Sequence, residues 1–137
     1  MEKHQTVTQG EWQIMELLWL RPHTLMELVA ELSQSIGWSK STTATMIHRM
    51  QDKDLIGYEM DGRTKQFYAA VSREDVVARE TDTLLSRAYQ GSIGLMLSAM
   101  VHHKNLSKDD IDELYAILSE AENALQEPAH AKGETVL

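Results

Sequence analysis

The sequence predicts a mainly α-helical protein with one small β-hairpin: a winged helix-turn-helix followed by a helical assembly domain. Three observations lead there. Helix-start signals recur along the chain. A hydroxyl-rich stretch, W-S-K-S-T-T-A-T-M-I-H-R-M (38–50), runs within a few residues into an Asp61-Gly62 hairpin signal. Beyond Ser72 the pattern turns wholly helical. A helix that shows water only small hydroxyls, one His and one Arg, followed at once by a β-ribbon, suits duplex DNA: the helix fits the major groove and the ribbon grips the backbone beside it.

Each element has its own warrant. Thr8-x-x-Glu11, Thr24-x-x-Glu27, Ser72-x-x-Asp75 and Ser107-x-x-Asp110 fit the capping box, in which a hydroxyl and an acid satisfy orphan amides reciprocally. Val7 with Trp12, Val71 with Val76, and Leu106 with Ile111 span three of these caps as hydrophobic staples. The first helix is expected over 9–20, ended by Arg21-Pro22. The second covers 25–36, with Leu25, Leu28, Val29, Leu32 and Ile36 on one face and a stop at Gly37. The third, 40–53, starts from Ser39 with no acid in its first turn, where Lys40, Ser41, Thr42 and Thr43 stand instead. Helix N-termini attract negative charge, and a phosphate is a natural occupant of a place left open. At about 100° per residue, Thr43, Met46, Ile47 and Met50 form its buried face. Ser41, Thr45, His48 and Asp52 lie opposite, flanked by Thr42 and Arg49. Residues 55–60 and 63–69 read as two strands around Asp61-Gly62. A leading strand near the second helix, which a winged helix often carries, is not visible.

Three further helices follow. One, over 73–89, carries Val76, Val77, Leu84, Leu85, Ala88 and Tyr89; the next, over 92–103, carries Ile93, Leu95, Met96, Leu97, Met100 and Val101. The last, over 108–125, places Ile111, Leu114, Tyr115, Leu118 and Leu125 at near-heptad spacing. Three helices of this size cannot bury such stripes alone, and a contiguous exposed apolar patch signals a partner surface. The expected division is therefore 1–71 for DNA, 72–125 for homodimerisation, and an aperiodic, unstructured tail over 126–137. The expected two-fold interface comprises Leu84, Leu85, Ala88, Tyr89, Ile93, Met96, Leu97 and Met100, then Ile111, Leu114, Tyr115, Leu118 and Leu125.

Composition narrows the function classes. With 42% hydrophobic and 25% charged residues, the 137-residue chain is ordinary for a soluble protein. No apolar run approaches the ~20 residues of a membrane span, and M-E-K-H-Q-T lacks a signal-peptide core, so a cytoplasmic protein with no membrane partner is expected. The absence of Cys excludes disulfides and thiolate chemistry. A net charge of −8 speaks against nucleic acid until the chain is divided. Residues 1–71 hold 7 Lys/Arg against 9 Asp/Glu, residues 72–137 hold 6 against 12, and within 38–68 the balance is 5 against 4. The candidate DNA surface is thus near neutral, so binding must lean on specific, two-site contact.

The candidate DNA contacts are Lys40, Ser41, Thr42, Thr43, Thr45, His48 and Arg49 on the third helix, with Arg63 and Lys65 on the wing. Thr is a poor helix former, so three in four residues need a reason; small hydroxyls let a helix sit deep in a groove. Arg49 suits a phosphate, a structural acid or a guanine edge. Arg63 and Lys65 suit phosphates, or serve only as solvated charges guarding a strand edge. His102 and His103, with Asp109 or Asp110 or with His130, offer N and O donors. Adjacent His residues leave a helix on different sides, however, and no metal site or cofactor is expected. The eight Met residues sit mainly in apolar stripes. No Ser-His-Asp, P-loop, G-x-G-x-x-G or paired-carboxylate pattern is present, which points away from an enzyme.

The chain resembles the penicillinase-repressor family of bacterial transcription factors, which includes the β-lactam-resistance and copper-transport repressors. The likeness rests on T-x-x-E-W-Q-I-M-E-L-L-W (8–19), W-S-K-S-T-T-A-T-M-I-H-R-M-x-x-K (38–53) and D-G-R-T-K-Q-F-Y-A-A (61–70). Leu-Leu-x-x-x-Tyr-x-Gly (84–91) and E-L-x-x-I-L (113–118) extend it across about 1–122. Trp38 and the D-G-R wing lean toward the copper-transport branch. The resemblance implies a homodimer that sits on a palindromic operator, with Lys40 to Arg49 as recognition helix, and blocks transcription of a resistance or metal-homeostasis operon. Two departures stand out. The copper branch ends in C-x-C metal motifs, and this chain has no Cys. The β-lactam branch is cut at an Asn-Phe bond where this chain reads L-M-L-S-A-M (95–100). Of the two inducers open to it, a regulatory protease cutting between Leu95 and Val101 is expected over a metal ion, since His102, His103, His130 and the Met side chains offer no closely spaced set and would hold a metal only weakly. A winged-helix protein–protein adaptor that never touches DNA is the alternative from another class.

Overall fold

Every buried apolar side chain of the described residues comes from the stretch between Val7 and Val76. The computed structural model describes residues 6–126. Its elements run α1 (Gln9–Leu20), α2 (Leu25–Ile36), α3 (Lys40–Asp52), β1 (Ile56–Asp61), β2 (Thr64–Ala69), α4 (Arg73–Tyr89), α5 (Ile93–His103) and α6 (Lys108–Gln126). The protein is thus mainly helical with one antiparallel hairpin, as the sequence predicts. Gln126, assigned by sequence to the tail, closes α6; the expected unstructured tail over 127–137 lies outside the described residues.

The chain divides into two units, Met1–Gln90 and Gly91–Leu137. The first unit runs past the break expected at 71/72, and the contacts around the start of α4 give the physical reason. Val76 is buried in the first unit's core, and Trp19 Nε1 donates to Val71 O at 2.9 Å. Arg73 pairs with Glu16 and stacks over the Trp19 ring at 4.9 Å. Trp12 meets Trp19 edge-on at 5.4 Å. Trp19→Phe keeps an aromatic ring but removes the donor and half of the indole's contact surface. It should cost about 1 kcal/mol of stability, read as a lowered Tm of the full chain.

Helix starts follow the caps. Thr8 with Glu11 and Thr24 with Glu27 form reciprocal boxes, and the Thr24 amide, donating to Glu27, holds that carboxyl below its ordinary range. Ser72 accepts from the Asp75 amide, while Ser107 and Asp110 exchange bonds in both directions. α1 buries Glu11, Ile14, Met15 and Leu18, α2 buries Leu28 and Leu32, and α3 buries Thr43, Ile47 and Met50. These three faces close on Leu55, just before β1, and on Ile56 and Phe67 from the hairpin. Burial of side chains this size contributes roughly 2 kcal/mol each.

The hairpin pairs Ile56 with Ala69 through to Asp61 with Thr64. Its two turn residues are therefore Gly62 and Arg63, one position later than the sequence suggested. Gly62 takes φ +65° and Arg63 does not turn positive, the pattern of a type II′ turn with Gly first. The leading strand that the sequence hid is a single residue. His23 and Phe67 exchange backbone bonds at 3.0 and 2.8 Å, tying the wing to the α1–α2 connection. The second unit differs in kind: neither α5 nor α6 buries a single described residue.

Candidate nucleic-acid interface

α3 begins where Ser39 accepts from the Thr42 amide at 3.1 Å. The Ser39 hydroxyl also meets Ser41 Oγ at 3.2 Å and donates to Thr42 Oγ1 at 3.0 Å, so three hydroxyls cluster on the first turn. No acid stands in that turn. The same holds for α5, so an open N-terminus does not single out α3. What singles it out is the side-chain set on its outer face.

Lys40, Ser41, Thr42, Thr45, His48 and Arg49 are all exposed. Thr43 is not: it is 0% exposed, and its Oγ1 has no hydrogen-bond partner. Its place among the candidate DNA contacts is therefore corrected, because Thr43 shares the i, i+4 and i, i+7 face of Ile47 and Met50 that packs on the core. Gly10 of α1 lies close to that side as well. A Cβ there would stand 3.1 Å from Met46 Cε and 3.4 Å from Trp38 Cζ2, so the small residue lets α3 approach.

The outer face has little internal pairing. His48 Nε2 lies 3.8 Å from Asp52 with both side chains largely exposed, an arrangement of small energetic weight. Arg49 Nη1 donates to Met46 Sδ at 3.8 Å, and the residue is exposed. β1 packs against α3 and carries the wing beside it. There Lys65 Nζ sits 4.4 Å over the Tyr58 ring, and Arg63 occupies the hairpin tip, both exposed. Hydroxyls in the middle, cations at both ends and no carboxylate between Lys40 and Arg49 form a surface suited to accepting phosphates and base edges.

The predicted dimer residues lie on α4, α5 and α6. Leu84, Ile93, Met100, Ile111, Tyr115, Leu118 and Leu125 are exposed, the last to 84%. Ala88 is exposed too, while Leu85, Tyr89, Met96, Leu97 and Leu114 are half-buried. Within the second unit, Val101, Leu106, Ile111, Leu114, Tyr115 and Leu118 line a largely apolar groove of about 460 Å³. His102 Nδ1 donates back to Ser98 O at 2.7 Å. Among the described residues, no three His, Cys, Asp or Glu side chains gather as a metal would need, and His130 lies outside them. No helix among them is long and apolar enough to cross a membrane.

Residues 7–120 match the penicillinase repressor family. The chain is 25% identical to the methicillin resistance regulatory protein MecI of Staphylococcus aureus (strain N315) over 114 residues, which is 82% of this chain and 93% of that protein. It is 27% identical to the penicillinase repressor of Bacillus licheniformis over 128 residues, 93% of this chain and all of that one. The solution structure of the DNA-binding domain of the repressor BlaI aligns at 25% identity and a TM-score of 0.49, over 55% of this chain and 93% of that domain.

Proposed function

The chain belongs to the penicillinase-repressor family of transcriptional repressors, which are not enzymes, and from that premise we propose that it is a cytoplasmic homodimer that reads a palindromic operator. In this reading α3 enters the major groove. Thr45, His48 and Arg49 face base edges, Lys40, Ser41 and Thr42 face phosphates at the helix start, and Arg63 and Lys65 hold the backbone beside it. The observation that carries the proposal is the exposed, carboxylate-free face from Lys40 to Arg49 on a helix whose other face is locked into the core.

Two copies are needed for an energetic reason. A locally near-neutral surface captures little of the counterion-release energy that drives non-specific binding, so a single half-site is held weakly. Joining two half-sites through α4, α5 and α6 raises the effective concentration of the second contact and supplies the missing affinity. The bare apolar stripes of those helices support this assembly. The relatives, named for methicillin resistance and penicillinase, favour a resistance operon as the regulated set over a copper-transport operon.

Mobility shifts on the DNA upstream of its own gene, across about 50 to 200 mM salt, test the proposal. Affinity should fall steadily as salt rises. Lys65→Ala should weaken binding evenly across sequences and reduce the slope of log affinity against log salt by about 1. Tight binding without salt dependence, or none at any salt, would leave the protein–protein adaptor as the better reading.

A further inference from the structure

The contact that ties the reading helix to its scaffold lies outside the face assigned to DNA. Glu11, in the first turn of α1, is 0% exposed. Its Oε1 accepts from the Thr8 amide at 2.9 Å and from Lys53 Nζ at 2.7 Å. Its Oε2 is buried without a hydrogen-bond partner. A carboxylate so placed is tolerated only where its charge is compensated, and Lys53 supplies the compensation. The Lys53 side chain is 21% exposed and its ammonium is turned inward, so it is not presented to a phosphate.

Lys53 stands at a junction. It caps α3, and its amide bonds back to Arg49 O at 3.1 Å. Asp54 then turns the chain at φ +61°, a left-handed conformation that non-glycine residues seldom take. Leu55 N closes the turn on Met50 O at 3.0 Å, and β1 starts at Ile56. One ion pair therefore pins, to the start of α1, the point where the recognition helix hands over to the wing.

We propose that the Glu11–Lys53 pair is the positioning device that sets α3 and the wing in register for reading bases, an assignment that rests on the DNA-binding reading above. A site needed for stability alone is served as well by apolar side chains, since buried ion pairs are often replaced by them without loss. What a short, directed ion pair provides and an apolar contact does not is a fixed angle and register between the elements it joins.

The test compares full-length variants on a duplex recovered from a random pool by the wild-type protein and on a scrambled duplex, over a salt series. Lys53→Met should reduce the ratio of specific to non-specific affinity roughly ten- to hundredfold, the discrimination carried by one or two base contacts. The salt slope should not change. The double variant Glu11→Gln with Lys53→Met removes both charges and keeps an acceptor for the Thr8 amide. It should melt near the wild type and still lose the ratio. A wild-type ratio in the folded double variant would show the pair to be a stabiliser only and overturn the proposal. A slope reduced by about 1 with the ratio intact in Lys53→Met would make Lys53 a phosphate contact and overturn it equally. If the wild type shows no salt-dependent binding, the DNA reading falls first and takes this assignment with it.

Discussion

Thr45→Glu is expected to weaken operator binding by about 3 kcal/mol, roughly a hundredfold, while leaving the fold in place. Thr45 is exposed at the centre of the α3 outer face, opposite Thr43, Ile47 and Met50. A carboxylate there meets the phosphate field of the groove and removes a hydroxyl suited to base edges or backbone oxygens. Both effects act only in the complex. In the free protein the position touches water, where substitutions stay within about 0.5 kcal/mol. Operator affinity by fluorescence anisotropy and Tm of the same sample check the two halves together. Unchanged affinity at unchanged Tm would remove Thr45 from the interface and, with it, the assigned face of α3.

Leu118→Asp is expected to convert the proposed dimer to monomers. Leu118 is 53% exposed and lines the groove that Val101, Leu106, Ile111, Leu114 and Tyr115 share. In a two-fold assembly each substitution is present twice, so two unpaired carboxylates enter one interface at several kcal/mol each. The first unit has its own core and should remain folded, binding half-sites singly and weakly. Sedimentation at micromolar concentration distinguishes the outcomes. A wild type already monomeric there would contradict the dimer.

Much of this architecture was legible in the residues because its signals are local. Thr8-x-x-Glu11 and Thr24-x-x-Glu27 sit within four residues of the amides they satisfy, so α1 and α2 begin where the boxes predict. Ser39 and the periodic Ile47 and Met50 likewise place α3 and its outer face. What stayed hidden depends on distant partners or on single residues. The third strand is one bridge at His23, too short to leave an alternating pattern. That the start of α4 packs with the first unit depends on Trp19 reaching Val71 and Arg73, more than 50 residues along the chain. The Glu11–Lys53 pair spans 42 residues, and Glu11 reads locally as an ordinary cap. Thr43 shows a conflict between two local signals: its hydroxyl suggests an outward-facing contact, but helical period governs and buries it.

The claim at the centre is that two copies of this chain read two copies of one DNA half-site through α3. Selection of duplexes from a random pool by the full-length protein, followed by sequencing, tests it most directly. The predicted result is an inverted repeat whose half-sites lie about 10 base pairs apart, or a multiple of that, so that both recognition helices meet the same side of the duplex. Enrichment of no sequence, or of a single half-site without its symmetric partner, would contradict it.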